Sequence, residues 1–332
     1  MLNAGLVGLG WWGRTIAATL KESSALHIAA ACDIDPAARA AAASLGIPFR
    51  ESLEDILADP AIGAVILATP HSMHAAQIKV VAAAGKHVFC EKPLCLTRAD
   101  AGAAIAACDR AGVVLGVGHE RRFEPPILEL RRLFAAGTLG TALQIEANFS
   151  QDKFLSLPAG NWRLSAHDAP AGPMTATGIH LLDLAVALLG PARRVLVNVR
   201  SLGSALANGD TLAALVEFEC GASALISAIL ATPFDGRFAL YGSKGWAEVR
   251  DKAHPEKPEG WVLTSAIRGG AKRSVEYPPA PAVRANLEAF AAAASGGPAY
   301  PVPHAEMLAT VAALEAIVRS AGSGNVETVS RN

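Results

Sequence analysis

Gly8-Leu9-Gly10-Trp11-Trp12-Gly13 is the stretch of sequence that decides the fold. It joins an apolar run, typical of a β-strand, to an alanine-rich segment typical of a helix, which is the context that a G-x-G-x-x-G turn requires. Gly8 permits the tight turn, Gly10 lets a pyrophosphate approach the backbone, and Gly13 lets helix pack on strand. N–H groups at the helix start would then bind dinucleotide phosphates. A tight glycine turn in another α/β domain is the competing interpretation.

Asp33 is the acidic partner expected for such a turn. It lies 20 residues after Gly13, at the end of the second apolar run. A carboxylate at this position binds both ribose hydroxyls and repels a 2′-phosphate, so the sequence favours NAD over NADP. Acidic residues at strand ends also begin turns, as Asp35-Pro36 is expected to do, and this alternative applies to Asp33 as well.

The first third of the chain alternates short apolar runs with alanine-rich helical stretches. This alternation is typical of parallel βαβ units, and Thr97 with Asp100 has the Ser/Thr-x-x-acid spacing of a helix start. The predicted strands are Leu2–Leu9, Leu26–Cys32, Ala64–Ala68, His87–Cys90 and Val113–Val117, and the predicted helices are Arg14–Ser23, Pro36–Leu45, His74–Ala84 and Thr97–Ala111.

After about residue 122 the chain shows consecutive strands, which predict a mainly antiparallel sheet. The predicted strands are Leu143–Phe149, Arg194–Leu202, Leu212–Glu219, Ala222–Ala231 and Phe238–Tyr241, and the predicted helices are Gly178–Leu189, Arg284–Ala294 and His304–Ala321. We expect Asp251–Gly260 to be an exposed loop and Gly322–Asn332 a frayed tail. The 332 residues therefore predict two domains, 1–122 and 123–332.

Composition favours a small-molecule partner. Lys and Arg number 29 against 30 for Asp and Glu, so no general attraction to nucleic acid or anionic membrane is implied. The 5 cysteines are scattered without a C-x-x-C pair, which argues against a disulfide framework or a structural zinc site. The apolar N-terminus lacks a basic region, and the apolar stretch 211–232 contains Glu217 and Glu219, so we expect no membrane span and a cytoplasmic location.

Chemically useful side chains follow two of the predicted strands. Ala68-Thr69-Pro70-His71 and Glu91-Lys92-Pro93 both come at the ends of buried strands, and ligands of doubly wound sheets bind outside those ends. His71 and His74 have a spacing open to metal binding, but no cluster of further ligands accompanies them, so we predict no metal. A solvated surface lysine is the alternative for Lys92.

Together these motifs resemble the Gfo/Idh/MocA family, named for glucose-fructose oxidoreductase and inositol dehydrogenase. The resemblance covers nearly the whole chain. Its pieces are Gly8–Gly13, Asp33, Thr69-Pro70-His71 with His74, Gly85-Lys86-His87-Val88 leading into Glu91-Lys92-Pro93, Arg121-Arg122-Phe123, Trp162-Arg163, Gly178-Ile179-His180 with Asp183, and the closing helix around Ala316.

The resemblance implies an α/β fold with an N-terminal Rossmann dinucleotide-binding domain. A C-terminal α/β domain with an open, mainly antiparallel sheet would follow, with the active site between the two. The apolar strands Leu212–Phe218 and Ala224–Ala231 would leave one sheet face in need of cover. Since relatives commonly use such a face as a subunit contact, we expect a homodimer or homotetramer.

The resemblance also implies roles for single residues. Lys92 would lie near the nicotinamide and the reacting oxygen, with a cis Lys92-Pro93 bond, and His180 would exchange the hydroxyl proton. His180 and Asp183, three residues apart at a helix start, would face one cleft, whereas a core histidine paired with a helix acid is the alternative. The expected supporting or substrate-binding residues are Asp183, Thr175, Arg163, Trp162 and Glu120, and the expected cofactor-binding residues are Gly8, Leu9, Gly10, Trp11, Trp12, Gly13, Asp33, Ala68, Thr69, Pro70, His71, His74, Glu91 and Lys92.

Two positions depart from the family pattern. Ala176 stands where many members carry an aspartate four residues before the histidine, and Thr175 can supply a hydrogen bond there but no negative charge. Glu120 stands where relatives often carry asparagine.

We predict an NAD(P)-dependent oxidoreductase that transfers hydride between nicotinamide and the CH–OH or C=O group of a sugar, inositol or related cyclic alcohol. A catalytically weak or inactive dinucleotide-binding sensor is the alternative, and a scaffold protein without cofactor is the third hypothesis.

Overall fold

The computed structural model describes residues 1–330, and the chain divides into two compact units. Unit 1 comprises Met1–Glu120 and Pro281–Met307, and unit 2 comprises Arg121–Ala280 and the chain from Leu308 onward. Residues 281–307 thus group with the N-terminal unit, whereas the sequence prediction placed every residue after 122 in a second domain. Within residues 1–330, no helix combines the length and apolarity needed to cross a membrane.

Unit 1 contains a five-stranded parallel sheet with the order β2-β1-β3-β4-β5. Because β2 and β3 lie on opposite sides of β1, the chain reverses direction across the sheet at β1, and such a switch point opens a crevice at the strand ends. The strands are β1 Leu2–Val7, β2 Leu26–Cys32, β3 Ala64–Leu67, β4 His87–Cys90 and β5 Leu115–Val117, and the helices are α1 Trp11–Leu20, α2 Ala38–Leu45, α3 Leu53–Ala58, α4 His74–Ala83 and α5 Arg98–Ala111.

Helix α8, Ala282–Ala294, returns the chain to unit 1 because its apolar face completes that core. Leu287 and Phe290 are fully buried with Ile16 of α1, and the rings of Phe290 and Phe89 meet edge to face at 5.5 Å. The apolar spacing of α8 predicts a buried face without saying which core buries it. This explains why the sequence prediction kept the helix with its neighbours in the chain.

Unit 2 contains a nine-stranded sheet with the order β13-β12-β11-β10-β6-β9-β8-β7-β14. Only the central pair β6 and β9 is parallel among the described pairs, so the predicted mainly antiparallel sheet and the α/β fold class are confirmed. The strands are β6 Ala142–Ser150, β7 Ala192–Arg200, β8 Thr211–Phe218, β9 Ser223–Ile229, β10 Asp235–Gly242, β11 Gly245–Asp251, β12 Trp261–Ile267, β13 Arg273–Tyr277 and β14 Glu327–Thr328, and the helices are α6 Pro125–Ala135, α7 Ile179–Leu189 and, from Leu308 onward, α9 His304–Ser323.

Two segments of unit 2 differ from the expectation. The predicted exposed loop Asp251–Gly260 begins inside β11, and the Asp251 side chain is buried. The predicted frayed tail contains β14, which pairs with β7, and Val329 is buried. Strands β11 and β13 were not predicted because charged residues interrupt their apolar positions. Strand β12, WVLTSAI, contains no charged residue and was not predicted either.

One face of the large sheet is buried and the other is open. The buried face packs against α7, on which every residue except Ala187 and Leu188 is buried. The open face carries a cross-strand row formed by Leu196 of β7, Leu215 of β8 and Leu225 of β9. Leu196 and Leu225 are 42% and 44% exposed, which leaves apolar surface on this face.

Two consecutive buried arginines hold unit 2 together. Arg122 donates to both carboxylate oxygens of Asp183 on α7, at 2.6 and 2.7 Å. Arg121 pairs with Glu124 at 3.1 Å and with Asp251 at 2.8 Å. Every side chain in these ion pairs is at most 2% exposed, so each buried charge is compensated by its partner and not by water.

We predict that Asp183→Ala lowers the free energy of unfolding by about 3–5 kcal/mol, because it leaves the Arg122 guanidinium buried without its carboxylate. The control Arg132→Ala breaks the solvent-exposed pair with Glu129 and should cost about 1 kcal/mol or less. Urea unfolding of both variants checks this. An Asp183→Ala variant no less stable than Arg132→Ala would contradict the assigned role of the buried pair.

Candidate active site

The glycine turn of unit 1 is held by close backbone contacts. Gly8 has φ +96°, and a Cβ there would lie 2.6 Å from the carbonyl oxygen of Ala68. A Cβ on Gly13 would lie 1.9 Å from the carbonyl oxygen of Gly8. At Gly10, in contrast, a Cβ would meet no atom within 4 Å. The protein's own backbone therefore requires the first and third glycines, while the space beside the second is open to a ligand.

The start of α1 leaves backbone donors available to that ligand. Gly10 is the N-cap, so no side chain caps the helix, and the first turn contains no acidic residue. The first N–H groups of a helix have no partner inside it, and together with the helix dipole they favour an anion. These features fit the phosphates of a dinucleotide. Trp11 and Trp12 begin the helix with ring centroids 5.6 Å apart, and Trp11 is 38% exposed.

Asp33 lies against the glycine turn. Its Oδ2 accepts a hydrogen bond from the Leu9 N–H at 2.6 Å, and its Oδ1 accepts from the Asp35 N–H at 2.9 Å. Both sequence interpretations are therefore visible, since the carboxylate begins a turn and also reaches the glycine loop. An ionised carboxylate has about four acceptor positions, which leaves capacity for ribose hydroxyls.

His74 joins the two loops that follow β3 and β4. Its ring nitrogens lie 2.9 Å from the Pro93 carbonyl oxygen and 3.1 Å from the Thr69 carbonyl oxygen. The side chain is fully buried, and burial lowers the pKa of the imidazole. Although the sequence analysis expected His74 to contact the cofactor, its observed partners are these backbone carbonyls. We infer that it positions the loop Ala68–His71, in which His71 is also buried.

Glu91 and Lys92 follow β4 at the same edge of the sheet. Glu91 is buried, and its carboxylate accepts a hydrogen bond from the Lys92 N–H at 3.2 Å. A Cβ on Gly118 would lie 2.6 Å from this carboxylate, so glycine provides its space. Lys92 itself is half-buried, and the Lys92–Pro93 bond is cis, as the resemblance implied.

In unit 2, a π-helical turn at Met174–Gly178 leads directly into α7. Single π turns are rare and frequent at functional sites. Thr175 is buried and its hydroxyl donates to the Gly172 carbonyl at 3.3 Å, so its observed partner is backbone. Ala176 is half-buried and packs against a small apolar cluster formed by Phe154, Leu206 and Leu230, with Leu157 and Leu164 beside it.

His180, in the first turn of α7, is 5% exposed, and its ring centroid lies 6.0 Å from that of Phe149. The expectation that Asp183 faces the same cleft differs from the structure. The Asp183 carboxylate is 2% exposed and is bonded to Arg122. Asp183 thus holds the helix that carries His180, and we see its role as structural.

Phe149 and His254 were not predicted as site residues, and Arg121 was named only as part of a motif, without a role. The three share contacts beside His180. The Phe149 ring lies 5.9 Å from the ring of His254 and 5.4 Å from the Arg121 guanidinium carbon. Burial lowers the pKa of His254 to about 4, with further contributions from Lys153 and Arg121. No sequence signal could have joined these residues, because about 100 residues separate Phe149 from His254 and no motif links them.

The remaining expected residues have partners of their own. The Arg163 guanidinium lies over the Trp162 ring at 4.3 Å, and both residues are half-buried. Glu120 is buried in a short helical turn, Glu120–Phe123. Within residues 1–330, no three His, Cys, Asp or Glu side chains come together as a metal site.

We predict that Gly10→Ala weakens NADH binding by about 10-fold or more while leaving the thermal midpoint of unfolding unchanged. The added methyl group meets no protein atom but enters the space assigned to the pyrophosphate, and such overpacking costs about 1–3 kcal/mol. Gly102→Ala on α5, which also meets no atom, is the control and should bind NADH normally. Fluorescence titration measures both. Unchanged affinity in Gly10→Ala would contradict the assigned site.

Comparison with known proteins places these features in a family. Residues 2–119 match the family model of oxidoreductases with an NAD-binding Rossmann fold, and residues 127–248 match the GFO/IDH/MocA C-terminal domain. D-apiose dehydrogenase of Paraburkholderia graminis is 32% identical over 67% of this chain, although the match spans only 58% of that protein.

Two further relatives match almost the full chain. An NADP⁺-dependent D-xylose 1-dehydrogenase of Haloferax volcanii is 29% identical over 90% of this chain and 91% of its own length. The crystal structure of aldose-aldose oxidoreductase from Caulobacter crescentus superposes with a TM-score of 0.85 at 26% identity, covering 98% of this chain and 99% of that one. With both of its units matched in order, the chain belongs to the Gfo/Idh/MocA family of oxidoreductases, and unit 1 is its NAD-binding Rossmann domain.

Proposed function

We propose that the protein is an NAD(P)-dependent dehydrogenase or reductase that acts on the CH–OH group of a sugar, inositol or related cyclic alcohol. The observation that carries this proposal is the open space beside Gly10 at an uncapped helix start, next to Asp33. The relatives named for apiose and xylose dehydrogenation support the substrate class. Asp33 supports a preference for NAD, although the xylose enzyme uses NADP⁺.

The residues that would hold the cofactor are the glycine turn, Asp33 and the loop Ala68–His71. A bound nicotinamide would supply the hydride acceptor for oxidation of the carbon that bears the hydroxyl group, and the hydroxyl proton would leave as the carbonyl forms. In the proposed mechanism His180 exchanges that proton, and Lys92 stabilises negative charge on the oxygen by donating a hydrogen bond. Thr175, Arg163, Trp162 and Glu120 stay predictions as substrate contacts.

We predict that Lys92→Ala and His180→Ala each lower turnover by about 10²–10⁴-fold, the usual contribution of a positioned proton-transfer group. The assay offers NAD and NADP with D-xylose, D-apiose and myo-inositol and follows the absorbance of the reduced nicotinamide. Lys79→Ala and His167→Ala, both on exposed side chains, are the controls and should leave turnover unchanged.

Turnover separates the two main hypotheses, and NADH affinity tests both of them. Turnover lost in both site variants but retained in both controls supports the enzyme. Tight NADH binding by the wild type without turnover on any of the three substrates would favour the catalytically inactive sensor. A chain that binds no NADH at millimolar concentration would remove both hypotheses.

We also propose a homodimer or homotetramer in which a second copy covers the open face of the large sheet. The row Leu196, Leu215 and Leu225 supports this, because a contiguous apolar patch on a sheet face favours association.

A cytoplasmic location also stays a prediction; four of the five cysteines are buried, and Cys220 is exposed.

Sedimentation velocity should give a mass two or four times the 34.2 kDa of one chain. Leu196→Asp combined with Leu225→Asp should dissociate the assembly, because it buries two carboxylates in the contact. Leu128→Asp, on a residue that is 48% exposed on α6, is the control and should leave the mass unchanged. A wild-type protein that sediments only as the monomer would contradict the proposal.

A further inference from the structure

A polar cluster in unit 2 has no part in the roles proposed above. It consists of Gln151, Lys153, His254 and Glu256, and we call it the Gln151 cluster. Gln151 follows β6, Lys153 begins a short helical turn, and His254 and Glu256 lie between β11 and β12. Lys153 forms an ion pair with Glu256, which joins the two segments.

The hydrogen bonds of His254 determine which ring nitrogen carries the proton. Nδ1 accepts from the Glu256 backbone N–H at 3.2 Å and lies 3.2 Å from Lys153 Nζ. A backbone N–H and an ammonium group can only donate, so Nδ1 must carry the lone pair. The proton of neutral His254 is therefore on Nε2, which donates to Gln151 Oε1 at 2.7 Å.

The surroundings of His254 keep it neutral. Burial, together with the positive charges of Lys153 and Arg121, lowers its pKa to about 4, although Glu256 lies 3.8 Å from Nδ1. At neutral pH a single tautomer is therefore populated. The orientation of the Gln151 amide follows from that tautomer, because only its oxygen can accept the Nε2 proton.

The fixed amide leaves one group of Gln151 for another partner. Its oxygen is taken by His254, and its backbone N–H donates to the Ile229 carbonyl at 2.8 Å. Among residues 1–330, the amide nitrogen has no hydrogen-bond acceptor. The side chain is held rigidly, since Gln151 is only 5% exposed. This is a preoriented donor that can bind an oxygen atom of a ligand.

His254, which holds the Gln151 amide, borders the same aromatic ring as His180. Gln151 continues the line of β6 two residues after Phe149, so the two side chains point to the same side of the sheet, the side on which α7 packs. The Phe149 ring lies 6.0 Å from the ring of His180 and 5.9 Å from that of His254. Unit 2 therefore places the proposed proton-transfer group, His180, and the residue that holds the amide donor, His254, around one ring.

We propose that Gln151 determines specificity by donating a hydrogen bond to a substrate oxygen, and that His254 is a positioning residue that fixes the Gln151 amide. This inference rests on the proposed function, since it takes the substrate to be a polyhydroxylated sugar or alcohol. A donor at this place favours a hydroxyl or ring oxygen over an ammonium group or a deoxy position. The free energy of one neutral hydrogen bond corresponds to about 10-fold in affinity.

Three variants separate positioning from simple structural support. His254→Gln places an amide N–H where Nε2–H lies, so it should keep D-xylose affinity and KM within about 3-fold of wild type. His254→Phe fills the space without a donor, and Gln151→Glu keeps the acceptor for His254 but loses the amide donor. Both should raise the dissociation constant and the KM for D-xylose about 10-fold, with a smaller change in kcat. His167→Phe is the exposed control and should change neither constant.

The measurements are an NMR titration of D-xylose into the full chain with NADH present, and the absorbance assay described above. Equal affinity in wild type, His254→Phe and Gln151→Glu would overturn the inference, as would a failure of His254→Gln to restore it. Binding of D-xylose by a protein that turns over none of the three substrates would contradict the proposed function, yet the affinities of the variants would still decide this inference. Absence of D-xylose binding to the wild type would overturn the inference for this class of sugar.

The tautomer of His254 gives a readout that does not depend on activity. Nitrogen-15 NMR of the full chain should show neutral imidazole with the proton on Nε2 at neutral pH, and protonation only as the pH falls towards about 4. Proton on Nδ1, or a charged imidazole at neutral pH, would overturn the assigned orientation of Gln151.

Discussion

The steric contact between Gly13 and the carbonyl group of Gly8 is the constraint on which the first unit depends. A Cβ at residue 13 would lie 1.9 Å from that oxygen, so α1 can start this close to β1 only because the residue is glycine. The close start has two consequences. It aims the N–H groups of an uncapped helix at the strand ends, and it brings the Leu9 N–H to the Asp33 carboxylate. Cofactor binding at this place therefore follows from backbone packing before any ligand contact is considered.

Unit 2 depends in the same way on charges that cannot reach water. Arg122 holds α7 through Asp183, and Arg121 holds the end of β11 through Asp251. Buried ion pairs contribute little net stability compared with an apolar pair, but separating the partners leaves an uncompensated buried charge, which disfavours other arrangements of the elements they join. Here those elements carry His180 and the segment with His254. Each of these two histidines lies in contact with Phe149, so the arginines fix the frame in which the proposed substrate contacts act.

The sequence predicted the features that depend on residues close together in the chain. Strand Leu26–Cys32 and strand His87–Cys90 agree with the structure at both ends, and Thr97 caps α5 as its spacing indicated. The assignment of α8 to unit 1 was not predictable, because a helix with an apolar face does not reveal which core covers it. The ion pair between Asp183 and Arg122 was not predictable for a related reason. A helical His-x-x-Asp spacing places two side chains on one face, but Arg122 lies 61 residues away and only the fold brings it there.

The apolar neighbours of Ala176 explain why an alanine fits at this position. In many family members this position carries an aspartate, whereas here it packs against Phe154, Leu206 and Leu230. A carboxylate packed against these apolar side chains would lose hydration, which raises its free energy. The apolar cluster and the alanine are thus mutually consistent, and unit 2 has no negative charge at that position to attract a substrate hydroxyl. The Gln151 amide offers a donor instead of that acceptor. In the role proposed for Gln151, its donor favours a substrate oxygen that accepts a hydrogen bond, such as a ring oxygen, over one that must donate.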